Sequence, residues 1–157
     1  VKGLKLAASY YDGNYMLNEN EVEKDNAERN RLTFGGKYEN GKLTVRSEYI
    51  YGETGMGDRK AGEYYLLESD GFYVAAGYWF NYTCKKTGLQ HKIRPVARYD
   101  FFREDITEIN TNSTYYMVGV DWWPMQNLRL LVNYTLKDKV ANDNFGHLFQ
   151  AQLSVKF

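Results

Sequence analysis

The chain has a single cysteine, Cys84, so it can form no internal disulfide and offers no thiolate cluster for zinc. Its two histidines, His91 and His147, stand in no metal-ligand spacing, and no metal or other cofactor is implied. No apolar run approaches the eighteen or so residues that a transmembrane helix needs. The longest greasy stretch, residues 72–80, is too short and contains Gly77. No basic-then-apolar leader opens the chain, so a signal peptide is expected to be absent or already removed. There is no Gly-x-Ser-x-Gly element, no phosphate-binding loop and no catalytic cysteine context, so an enzyme is not expected. Net charge is lacking too. Twenty Lys and Arg balance twenty Asp and Glu, which taken alone points away from nucleic acid.

What the chain does have is aromatic rings. Aromatics make up 17% of the residues and Tyr alone counts 15, while the mean hydropathy is −0.62. That is too polar for a helical membrane protein, and so much Tyr suits strands and water–membrane boundaries. A length of 157 residues fits a single domain, or one part of a larger one.

The clearest pattern closes the chain. In HLFQAQLSVKF, Phe149, Ala151, Leu153, Val155 and Phe157 alternate with Gln150, Gln152, Ser154 and Lys156. Strict alternation is a β-strand with one apolar and one polar face, and a tilted strand of this length crosses a bilayer. Similar runs fall at residues 3–11, 31–38, 42–51, 71–80, 92–102, 113–123 and 128–137. That predicts about eight strands in four hairpins. Asn40-Gly41 is a hairpin turn signal, and Pro124 to Asn127 forms a second tight turn. Pro95 interrupts one run, where it removes a ladder hydrogen bond; a place near the turn end, at a bulge, is expected for it.

The polar segments 12–30, 52–68, 103–112 and 138–146 read as long solvated loops. Short and long connections alternate, so an up-and-down meander puts short turns at one end and long loops at the other, with the carboxyl terminus at the short-turn end. Tyr38, Phe80, Trp122 and Phe157 sit at the short-turn ends of the apolar face, and Tyr10, Tyr51, Phe101 and Tyr134 near the long-loop ends. Two such girdles suit the two water boundaries of a membrane barrel. Periodicity alone does not say which face is inside, so a soluble ligand-binding barrel stays open as an alternative.

The balanced charge is segregated. The polar strand faces carry Lys5, Arg31, Lys37, Lys42, Arg46, Lys92, Arg94, Arg98, Arg129, Lys137 and Lys156 against Glu48, Asp100 and Asp121. If this face lines a lumen, it favours anions over cations. Arg46 and Arg98 are expected near mid-pore, Arg94 and Arg129 toward a basic exit, with Lys5 and Lys37 on the same wall. Asp100 is placed to hold Arg98. A wall of solvated charges without selectivity is the bland counterpart.

GFYVAAGYWF at 71–80, KIRPVARYDFF at 92–102, YYMVGVDWWPMQNLRLLVNYTL at 115–136 and the terminal HLFQAQLSVKF resemble the phosphate-selective porin O and P family. That family shows an aromatic strand ending in an Asn-Trp-Tyr-like element, a Pro/Asn turn, and an Arg-containing strand with Asn-Tyr. Here the first element reads Asp121-Trp122-Trp123. The resemblance implies an all-β, antiparallel up-and-down transmembrane barrel, this chain matching the carboxyl-terminal half of a sixteen-stranded homotrimeric porin. It implies the bacterial outer membrane as location, its lipid bilayer as surroundings, and a periplasmic carboxyl terminus. The function it implies is passive diffusion of small hydrophilic solutes, with anions such as phosphate preferred. Phe157 looks like the signal read by the outer-membrane barrel assembly machinery. The alternative within the membrane is a complete eight-stranded barrel, plugged by its own side chains, with a structural or loop-binding role.

Overall fold

A computed structural model describes residues 2–19, 22–57, 63–108, 111–139 and 146–156. The strands are β1 (Leu4–Glu19), β2 (Val22–Glu39), β3 (Leu43–Gly57), β4 (Tyr64–Tyr78), β5 (Phe80–Thr83), β6 (Gln90–Arg103), β7 (Asn112–Met125), β8 (Leu128–Lys139) and β9 (Gly146–Val155). They form one antiparallel meander in the order β1-β2-β3-β4-β6-β7-β8-β9, with β5 also paired to β6. β5 continues the course of β4 after a break at Trp79, so the sheet has the hairpin plan that the alternating runs predict. β1 and β9 do not pair with each other, and the sheet is open.

The turn chemistry is as read from the sequence. Gly41 takes φ 81°, a left-handed value suited to glycine. Asn40 closes the hairpin, its Oδ1 accepting from Leu43 N at 3.0 Å. Pro95 is not at a bulge. Ladder pairing runs to Gly77↔Val96 and resumes at Phe80↔Ile93, so Pro95 lies opposite the gap between β4 and β5. No β4 or β5 pairing is broken there, and Trp79 N donates on the β3 side, to Lys42 O at 2.8 Å.

Two expected loops are largely strand. β1 and β2 run through most of 12–30, and β3 and β4 through most of 52–68. Past the apolar band both faces of a hairpin meet water, so alternation vanishes while the backbone ladder persists. A small cluster staples these extensions together. Leu17 is 1% and Ala27 0% exposed, with Tyr15 and Tyr64 packed against them. Tyr15 also donates its hydroxyl to Gly55 O across the two hairpins.

These two are the buried hydrophobic residues among those described. Everywhere else the apolar face is the exposed one. Leu6 is 76%, Val118 57% and Phe149 67% exposed. Rings on that face pack strand to strand: Phe72 with Phe101 at 5.7 Å and Tyr99 with Tyr116 at 5.3 Å. A sheet of this size in water would bury such a face, since each covered side chain gains roughly 1.5–3 kcal/mol. Polar chemistry returns at the long-loop edge of the band. There Asp70 accepts from Arg103 Nε at 2.7 Å, and Tyr51 Oη lies 2.9 Å from a carboxylate oxygen of both Glu53 and Glu68.

The strands are staggered. Tyr38, one residue from the end of β2, connects through its register partners Val45, Ala76 and Ala97 to Val118, seven residues before the end of β7. Strands that tilt about a barrel axis need such a stagger.

A candidate solute pathway on the polar face

On the polar face, Lys5, Lys37, Arg46, Ala75 and Arg98 are successive register partners across β1, β2, β3, β4 and β6. The result is a stripe of four cations crossing the sheet, interrupted by one methyl group. Like charges set directly opposite repel, so this arrangement weakens the bare sheet. Lys37 is relieved by an ion pair with Glu39 on its own strand. Arg46 has no ion-pair partner among the described residues. Because the strands are staggered, the stripe is a diagonal. Arg46 is the fourth residue of β3, nearer the short-turn end than the sequence suggested, while Arg98 stands well inside β6.

Arg98 is fixed by two neighbours, one of them itself held by a third. Its Nε donates to Asp100 at 2.8–2.9 Å, the pairing expected from the sequence, and its guanidinium lies 4.2 Å over the Tyr73 ring. Tyr73 in turn donates its hydroxyl to Glu48 Oε2 at 3.3 Å. A clamped guanidinium still presents free N–H groups, and its fork geometry matches an oxyanion.

Four residues along β6, roughly 13 Å at ordinary strand rise, Arg94 belongs to a second assembly. Its register partner is Asp121, which is 1% exposed. Asp121 accepts from Arg94 Nη2 at 2.7 Å, from Arg129 Nε at 2.8 Å and Nη2 at 3.0 Å, and from Trp123 Nε1 at 3.0 Å. Two guanidiniums share one carboxylate, so the group keeps one net positive charge. Indoles flank it: Arg94 sits 4.5 Å over Trp79 and Arg129 5.7 Å over Trp123. Arg46, Arg94, Arg98 and Arg129 all border one shallow depression of about 280 Å³, floored by Ala75 and Gly77.

The sequence placed Asp121 on the polar face but gave it no role. The signal was present: an acid between two bases of the same strand parity, next to a Trp. What was missing was the register that brings β6, β7 and β8 together there.

The aromatics expected at the two water boundaries fall, by the register, on the opposite face from Tyr73, Trp79 and Trp123. Phe80, Trp122, Tyr10 and Tyr134 are exposed, and Tyr38, Tyr51 and Phe101 half-buried. Tyr134 Oη lies 2.6 Å from His147 Nδ1, and His91 stacks between Tyr82 at 6.0 Å and Trp122 at 6.4 Å. Phe157 lies outside the described residues. Among the described residues no His, Cys, Asp and Glu group has the arrangement of a metal site.

A sheet with its apolar face exposed, its polar face arginine-rich and its strands staggered has the organisation of a porin wall. The family model for phosphate-selective porin O and P matches residues 6–157. The chain belongs to that family. Membership in phosphate-selective porin O and P makes it a bacterial outer-membrane porin and extends over strands β1 to β3, ahead of the segments from residue 71 on that carried the likeness. No curated protein and no solved structure matches it.

Proposed function

We propose that this chain is part of the wall of an anion-preferring outer-membrane pore that passes phosphate-sized solutes by passive diffusion. The stripe Lys5–Lys37–Arg46–Arg98 carries the reading. Repulsion between directly opposed cations is a cost that a structural sheet has no reason to keep, and water or passing anions relieve it. On this reading the polar face lines the lumen, and the second basic group, Arg94 with Arg129, marks the short-turn exit. Water in the lumen screens each cation, so each lowers the anion barrier modestly and the row acts together.

The apolar face then meets lipid, with Tyr10, Tyr51, Phe101 and Tyr134 at the long-loop boundary and Tyr38, Phe80 and Trp122 at the periplasmic one. The unpaired edges of β1 and β9 need partners in a bilayer. A sixteen-stranded barrel supplies them, and a homotrimer of such barrels would cover part of the outer face. The short-turn end, with the carboxyl terminus, faces the periplasm, where Phe157 is available to the assembly machinery. The chain carries out transport rather than chemistry, and its solute meets side chains only.

The test is single-channel recording of the native full-length polypeptide in a planar bilayer under a salt gradient. The expected reversal potential has the sign of anion preference. A cation-selective or non-conducting protein would overturn the proposal.

A further inference from the structure

At the short-turn end of the polar face, beyond the Asp121 group, is a recess of about 480 Å³. That volume is within the roughly 300–1,000 Å³ of small-molecule sites. Its lining differs from the arginine stripe. It holds two indoles, Trp79 and Trp123, three amides, Asn81, Gln90 and Gln126, and one ammonium, Lys92. Asn81 and Lys92 are register partners across β5 and β6, and Lys92 pairs in turn with Trp123 on β7. The indoles are held from behind, Trp79 against Arg94 at 4.5 Å and Trp123 by its hydrogen bond to Asp121 at 3.0 Å. None of the three amides nor the Lys92 ammonium makes a side-chain hydrogen bond to another described residue, so all four are available to a ligand.

Inorganic phosphate can take amide N–H groups but has no use for flat apolar rings or for the amide carbonyls. A phosphorylated sugar uses every part. The C–H face of a pyranose packs on an indole, amides bond its vicinal hydroxyls through paired donor and acceptor, and an ammonium meets the phosphate. We propose that this recess is a solute subsite for sugar phosphates at the periplasmic mouth. It rests on the reading of the polar face as a pore wall and adds a substrate class to it. Solutes bearing both a ring and an anionic group pause there, while orthophosphate passes by the arginines alone.

The third tryptophan of residues 1–157, Trp122, lies on the apolar face, so W122F leaves Trp79 and Trp123 as the only indoles that this stretch contributes to the emission, and variants of the recess assign any shift to it. The full-length W122F protein is titrated with glucose 6-phosphate, orthophosphate and glucose, and the same preparation is recorded in a bilayer. Glucose 6-phosphate is expected to give a saturable emission shift, and orthophosphate none. Gln90→Ala and Lys92→Gln, both at exposed positions that spare the fold, are each expected to weaken it about tenfold, the worth of one hydrogen bond to a charged or hydroxyl-rich ligand. Absence of a shift with glucose 6-phosphate, or an equal shift with orthophosphate, in a protein that still conducts anions would overturn the subsite and leave the pore standing. A saturable shift in a protein that shows no anion preference would support the subsite and overturn the pore reading instead.

Discussion

Asp121 and Arg94 are direct register partners on β7 and β6, joined by a 2.7 Å hydrogen bond to a carboxylate that is 1% exposed. Arg129 and Trp123 complete the set of donors to that carboxylate. The Asp121 carboxylate therefore ties three strands to one another and sets two guanidiniums along the wall.

Replacing Asp121 with Asn keeps the shape and removes the charge. Breaking a fully buried pair costs about 3–5 kcal/mol, and the partial exposure of both arginines reduces this to roughly 2 kcal/mol. The variant is expected to unfold at lower temperature in a gel-shift melting assay. Its anion preference is expected to rise, because two cations lose their counter-charge. A melting point equal to wild type would remove Asp121 from its structural role.

Arg98→Glu reverses one charge of the stripe. At about 5 Å in a water-filled lumen a two-charge change alters an ion's barrier by roughly 1 kcal/mol after screening, or about fivefold in permeability ratio. The reversal potential is expected to move toward cations by that amount. Arg103→Glu, which breaks the outer-face pair with Asp70, is expected to leave selectivity unchanged.

Val118 is 57% exposed on the apolar face. In a water-soluble protein an arginine there would be close to neutral. Facing the middle of a bilayer it costs about 2–4 kcal/mol. Val118→Arg is expected to lower folding stability in vesicles by that amount, measured by denaturant titration, and an unchanged midpoint would contradict a lipid-facing wall.

Cys84 sits in the connection between β5 and β6, at the short-turn end, half-buried. Hydrogen bonds from the Thr87 hydroxyl and from the backbone at Thr87 and Lys86 hold its thiol below the usual range. The thiolate fraction is therefore raised at neutral pH and falls away as the pH drops. A membrane-impermeant maleimide is expected to label Cys84 only after the outer membrane is opened, since the proposed orientation puts the short turns in the periplasm. Labelling of intact cells would invert the proposed orientation.

Strand identity and the division into an apolar and a polar face were legible in the sequence through alternation, as in Val118 and Val120 against Met117 and Gly119, while which face lies inside was not. Strand ends were not legible at residues 12–30 and 52–68, where alternation fades and the backbone ladder, with the small Leu17–Ala27 cluster, holds the hairpins. Asn40-Gly41 announced its turn through the left-handed φ that glycine tolerates. The Asp121 group stayed hidden because its members are 27 and 8 residues apart in sequence, and only cross-strand register joins them. The stripe through Lys37, Arg46 and Arg98 was legible as a set of residues, but its diagonal course required the stagger of the strands.

A pore wall of this kind requires one sheet to have water on its polar face and lipid on its apolar face. Met117 and Val118 are adjacent on β7 and point to opposite faces. In a Cys84→Ser background, Met117→Cys and Val118→Cys are each treated in vesicles with a charged, water-soluble thiol reagent while conductance is recorded. The prediction is rapid modification at position 117 with a fall in anion current, and no modification at 118. Reaction at 118 with position 117 inert would contradict the assignment of the two faces and the pore with it.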